Sequence, residues 1–284
     1  MLVMNYINEQ KMKSKGLIKL VYIKINESVN ITDRVGQIGR NNVGSKMIII
    51  KYNNTKDIDI YFPDTNYTVY NRAYKDFLRG QVSSLYDKTI LGVGYFGVGK
   101  YKSNMNIINR RKGETTKAYR CWINMLHRCY DDKIHKKRPT YIGCTVCEEW
   151  HNFQVFAEWY EENFYQVDEE EMHLDKDILV KGDKIYSPDT CIFVPIRINS
   201  LFRTNTSSNL PQGVSAQLLK YRVECRDDNF NNIKLGIFKT IEEAFDIYKK
   251  YKESVFKIVA DKYINKVPLK LYNAMYNYHV EIND

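Results

Sequence analysis

The chain has 284 residues, a formal net charge of +9 and 44% hydrophobic residues. That length predicts more than one domain at roughly 100–200 residues each, and the positive charge favours a polyanionic partner, nucleic acid before an acidic membrane surface. Apolar runs of membrane-spanning length, a secretory h-region in MLVMNYINEQKMKSK and the cysteine density of a secreted scaffold are all missing, which predicts a soluble cytoplasmic protein with no membrane partner.

The first region, 1–105, holds strand-like Lys46–Tyr52 and Ile58–Phe62 joined by the turn-rich Asn53–Asp57. A helix is expected over Tyr70–Leu78, ending at Arg79-Gly80. Leu91–Lys100 follows with its glycine series. Gly94, Gly99 and Lys100 match part of a phosphate-binding loop, but Tyr101 stands where Ser or Thr should hold magnesium. No nucleotide cofactor is therefore expected, and the glycines are assigned to tight turns beside DNA. This region resembles a small β-rich module often joined to phage endonucleases, which implies a further DNA-contacting unit. The 23 tyrosines suit base stacking, though an AT-rich coding sequence is the stronger account of them.

The second region, 106–207, opens on basic Asn109–Gly113, where Arg110 and Arg111 are candidate DNA contacts. Trp122, Met125 and Leu126 recur at helical spacing within Thr116–Tyr130. A second helix is expected over Glu149–Phe164, burying Trp150, Phe153, Phe156, Ala157 and Tyr160. Cys144 and Cys147 form a CxxC, with Cys129 upstream and Cys191 downstream. Four thiolates can close a structural Zn2+ site; buried free thiols are the alternative. Cys121 and Cys225 read as structural.

Met172–Asn199 carries the chemistry. A charged strand holds His173, Asp175, Lys176 and Asp177, then come a turn at Gly182-Asp183, Tyr186–Cys191, apolar Ile192–Val194 and a helix with Asn199. One carboxylate and one amide oxygen can hold a hard divalent cation and leave positions open for a phosphate. This stretch resembles the HNH (ββα-metal) endonucleases, and more closely a phage-borne branch, through Leu174–Asp177, Tyr186–Cys191 and Asn199. Trp122, Met125, Arg128–Tyr130, Val146–Trp150 and Phe153 extend the resemblance over about a hundred residues. It implies that Asp175 and Asn199 bind one Mg2+ or Mn2+. Where the branch usually has a water-activating His, this chain has Lys176, and Thr190 replaces the middle Asn of the name. Three outcomes stay open: Lys176 as a deprotonated base, His173 on the same strand face as Asp175 as its substitute, or a frame with little or no cleavage.

The third region, 209–263, reads as three strands and a helix. Gly213–Ser215, Tyr221–Arg226 and Ile233–Phe238 are the strands, and Thr240 with Glu243 forms a capping box. The pattern resembles the Apetala/ethylene-response-factor DNA-binding domain, which implies a sheet in the major groove. Lys220, Arg222, Arg226 and Lys234 become candidate base or phosphate contacts, with alternation placing Lys220, Arg222, Glu224 and Arg226 on one face. The tail, 264–284, carries no signal. The expectation is a multidomain α+β protein. It is a phage or mobile-element endonuclease acting on double-stranded DNA in a bacterial cytoplasm, or alternatively a non-cleaving, sequence-specific regulator. Monomer or dimer is left open.

Overall fold

The computed structural model describes residues 34–104, 114–203 and 209–283; Arg110 and Arg111 lie outside them, as does the N-terminal segment. Helices and several small sheets are mixed along the chain. The described residues fall into two compact units that meet in sequence at Ser84/Leu85.

The first unit is an antiparallel meander of β1 (Ile38–Arg40), β2 (Lys46–Asn54), β3 (Asp57–Phe62) and β4 (Tyr67–Arg72), followed by α1 (Tyr74–Leu78). Alternation in β2 and β3 sends Met47, Ile49, Ile58, Ile60 and Phe62 into one core with Tyr74 and Phe77. The expected hairpin is present. The expected helix starts four residues late, because Tyr67–Arg72 is taken into the sheet, where Thr68 pairs with Tyr61 and β-branched Val69 with Ile60.

The second unit begins with the glycine series. Tyr95 bridges to Asn152, and Tyr95 N–H donates to His151 O at 2.9 Å. A side chain at Gly94 would collide with Leu126 and Trp122, and one at Gly97, where φ is +72°, with Asn152. Gly92 and Gly97 take positive φ in this turn-rich stretch, as expected for tight turns, and Gly94 and Gly97 also allow close packing on the helical part of this unit. Residues 85–104, expected with the N-terminal module, therefore pack within the second unit.

Helix α2 (Lys117–Tyr130) is capped by the Thr116 hydroxyl, and short α3 (Asp132–Lys137) follows. β5 (Thr145–Val146) leads through a 3-10 turn to α4 (Phe153–Asn163), where Asn152 caps. The predicted second helix is thus split at Asn152. Trp122, Leu126, Trp150, Phe153 and Phe156 fill the α2–α4 core, and Trp122 Nε1–H donates to Trp150 O at 2.7 Å.

Next come β6 (Met172–Asp175), β7 (Ile185–Tyr186), β8 (Ile192–Pro195) and α5 (Ile196–Leu201). β6 pairs antiparallel with β8, and β7 pairs parallel with β5. β9 (Val214–Gln217), β10 (Lys220–Arg226) and β11 (Asn232–Phe238) form an antiparallel sheet in the order β11-β10-β9. Its inner face lies on α6 (Ile241–Tyr263), which Thr240 caps. The tail adds α7 (Leu269–Tyr276), with Leu271 and Met275 buried. Val194, Ile198 and Leu201 share one core with Val223, Val255 and Phe256, so the last sheet and its helix are built onto β8 and α5. Among the described residues no helix is long and apolar enough to cross a membrane.

Candidate functional site

β6, β8 and α5 form a strand, strand, helix unit. Register pairs His173 with Val194, Leu174 with Phe193 and Asp175 with Ile192. Leu174 is buried in the aromatic core while His173 and Asp175 are half-buried on the other strand face. The helix turns directly out of β8, and Asn199 on it reaches back to β6: its Nδ2 lies 3.1 Å from His173 Nδ1.

The amide nitrogen of Asn199 can only donate, so His173 Nδ1 accepts and carries the ring's lone pair on this side. The proton then sits on Nε2, which lies 3.2 Å from Glu171 Oε1. Glu171 thus lies within ion-pair distance of the ring on the side away from Asn199. Glu171 was not singled out in the sequence. Its position two residues before His173 was the available signal, because alternation puts both on one strand face.

Asp175 ends β6. Its Oδ1 accepts the backbone N–H groups of Asp177 and Ile178 at 2.8 and 2.9 Å, which turns the chain out of the strand. Among the described residues Oδ2 has no hydrogen-bond partner. Burial pushes the Asp175 carboxyl above its ordinary range, and the two amides offset this only in part. A half-buried carboxylate with a bare oxygen suits a hard cation. Asn199, whose nitrogen faces the imidazole, keeps its oxygen for the same purpose. Carboxylate and amide oxygens are the donors that a hard cation such as Mg2+ or Mn2+ takes.

Lys176 lies elsewhere. It is 4% exposed, and its ammonium donates to Asp177 Oδ1 at 2.6 Å and to the carbonyl of Asp183. It also lies 5.7 Å from the centre of the Tyr186 ring. Burial pushes its pKa down, but the Asp177 hydrogen bond and charge outweigh that, and the group holds its proton more tightly than a free lysine. It braces the Asp175–Asp183 loop from the core side. A deprotonated Lys176 acting as base is at odds with this placement, because a protonated ammonium has no lone pair to offer. Thr190 likewise serves its own turn, donating to Ile185 O at 2.7 Å.

Cys129, Cys144 and Cys191 are buried and Cys147 half-buried. Burial pushes Cys129 and Cys191 up to about 12 and Cys147 to about 11. Among the described residues no three His, Cys, Asp or Glu side chains are grouped to hold a metal ion.

The basic candidates of the third region are brought together. Lys220, Arg222 and Arg226 are exposed on one face of β10, with half-buried Glu224 between them. A bulge opposite Val223-Glu224 sets Lys234 across from Glu224 on the same face. Glu224 lies 3.8 Å from Arg222 Nε and accepts from Asn232 Nδ2 at 3.1 Å. A cleft of about 410 Å³ lies apart from His173 and Asn199, lined by Trp159, Phe164, Cys191, Phe193, Lys266 and Pro268. Comparison with family models, curated proteins and solved structures finds no match.

Proposed function

We propose that this protein is an HNH-type endonuclease, phage- or mobile-element-borne, that hydrolyses phosphodiester bonds of duplex DNA in a bacterial cytoplasm. The observation that carries the reading is the return of Asn199 from α5 to His173 on β6, with Asp175 on the same strand face. Asp175 and Asn199 would hold one Mg2+ or Mn2+, which supplies charge neutralisation at the scissile phosphate and the departing oxygen. His173 would act as the general base once Nδ1 exchanges its Asn199 contact for an attacking water, which then gives up its proton to that nitrogen. The sheet β9–β11 offers its basic outer face to DNA, in keeping with its Apetala-type resemblance, and the β-rich first unit is a further DNA-contacting module.

A second reading, a non-cleaving DNA-binding regulator, draws on one observation: Asp175 Oδ1 is already committed to two backbone amides. Incubation of plasmid with the protein and Mg2+ or Mn2+, with EDTA as control, separates the two. Metal-dependent nicking or linearisation that disappears in Asp175→Ala supports the nuclease. Binding without cutting in either metal selects the regulator.

A structural zinc at Cys129, Cys144, Cys147 and Cys191 is a separable part of the proposal. It requires these thiols to lose their protons and draw together, and elemental analysis of protein purified without chelators tests it.

A further inference from the structure

The turn between β9 and β10 is the least explicable part of the fold on folding grounds alone. Gln217 pairs with Lys220, so Leu218 and Leu219 are the whole of a two-residue hairpin loop. Their relative exposures are 99% and 95%. Leu218 has a φ of +55°, in the left-handed region that a branched, bulky side chain rarely adopts. Hairpin loops of this length favour Gly, Asn or Asp, which take positive φ without steric cost. Leucine is thus a poor choice for the turn and for solubility. Backbone strain combined with fully exposed apolar surface points to a role in binding.

The surroundings say what is bound. Lys220 follows the tip directly, and Arg222, Arg226 and Lys234 continue the same outer face. The opposite end of the sheet is tied down: Arg197 donates to Asp228 O, and Lys262 pairs with the Asp228 carboxylate. The leucine end is the one that projects. An apolar tip at the end of a basic face matches a surface that is anionic outside and aromatic within, which is duplex DNA.

We propose that Leu218 and Leu219 form a wedge that enters the duplex and opens a base step beside the segment covered by the basic face. Flexible pyrimidine–purine steps are the cheapest to open. This rests on the DNA-binding part of the proposed function but not on cleavage.

The test uses the full-length protein in EDTA, with duplexes carrying 2-aminopurine at successive TA and CA steps. The unaltered protein should raise the fluorescence of at least one probe as it binds. Leu218→Gly combined with Leu219→Asn suits the observed turn, so its Tm should be equal or higher. That variant should bind at least fivefold more weakly, with no fluorescence rise. Leu218→Ser with Leu219→Ser should behave alike in binding. Equal affinity and equal fluorescence in the Gly-Asn variant would overturn the wedge while leaving DNA binding intact. No duplex binding by the unaltered protein would overturn the functional reading as well. Leucine-dependent binding to anionic vesicles, in place of DNA, would assign the tip to a lipid surface and reject the wedge.

Discussion

His173 Nδ1 lies 3.1 Å from Asn199 Nδ2, across 26 residues of chain. The contact exists because β6 and β8 pair in a register that sets His173 beside Val194, and α5 begins at Ile196 with no intervening loop. One turn of helix then carries Asn199 back over the strand. The Asn199 contact orients the imidazole on one side, and Glu171 Oε1 lies 3.2 Å from Nε2 on the other.

His173 and Lys176 should therefore part company on mutation. His173→Ala should lower cleavage about 10²–10⁴-fold, the usual worth of a general base, with little change in Tm. Lys176→Ala should do the reverse. It strands the Asp183 carbonyl and removes the charge against Asp177, at a cost of roughly 1–3 kcal/mol in stability, yet cleavage per folded molecule should stay within a few-fold of the unaltered protein. Plasmid cleavage with matched thermal melts reads both. A catalytic loss in Lys176→Ala without destabilisation would return the lysine to the chemistry.

Asp175 should trade stability for function. Burial raises its pKa in the folded state above the ordinary 3.8. Its charge thus weakens the fold at neutral pH. The sign follows: the folded state is favoured below about 4 and loses that advantage as pH rises through the raised value. Asp175→Asn keeps an oxygen for the Asp177 and Ile178 amides without the charge, so it should melt higher than the unaltered protein at pH 7, by about 2–4 °C for each kcal/mol recovered. The gap should close as pH falls towards 4. Mg2+ should raise the Tm of the unaltered protein but not of the variant, and the variant should not cut. A lower Tm for Asp175→Asn at pH 7 would show that the carboxylate is stabilising as it stands.

The strand, turn, strand, helix order around Asp175 was legible because local signals agree: Gly182-Asp183 breaks the chain, Ile192–Val194 is apolar, and Asn199 falls one turn into a helix. The alternation of basic residues on β10 was legible for the same reason. Burial was not. Lys176 reads as a candidate base until Asp177 and the Asp183 carbonyl are placed around its ammonium. Gly94 and Gly97 read as turn residues, and only the packing shows that Leu126 and Asn152 press against them. Apolar residues of α5 and α6 were visible separately, and only packing shows that Ile198 and Phe256 share a core. The strand at Tyr67–Arg72 was expected to be partly helical, since Asn71 is a poor strand former and Arg72 a good helix former, and pairing with β3 decides the outcome.

The thiols make a third test. Without a bound metal, burial pushes Cys129 and Cys191 up to about 12 and Cys147 to about 11, so the zinc-free protein should carry little thiolate at pH 8. Native protein should therefore react slowly with a disulfide reagent at pH 8, faster at pH 10, and completely once unfolded. Mass mapping of the labelled cysteines follows each site. Rapid modification of Cys129 or Cys191 in the folded protein at pH 8 would show that burial does not hold their protons.

The outer face of β10 should separate base reading from phosphate binding, and Glu224 is the control built into it. Arg222 lies 3.8 Å from the Glu224 carboxylate, close enough for that charge to compete with DNA for the guanidinium. Arg222 can reach a guanine in bidentate fashion, worth roughly 1–3 kcal/mol of discrimination. Arg222→Ala should weaken binding to a selected duplex by that amount and leave random duplexes much less affected. Lys234→Ala should weaken both alike and make the dependence of log K on log salt shallower by about 0.9, one phosphate's worth of released counterion. Glu224→Gln keeps the hydrogen bond to Asn232 and removes the competing charge, so it should tighten binding to both duplexes several-fold and steepen the salt dependence. Titrations at four salt concentrations measure all three variants together. An unchanged ratio of selected to random affinity in Arg222→Ala, with Lys234→Ala and Glu224→Gln also silent, would mean that this basic face does not meet DNA and that the positive charge of the chain acts elsewhere.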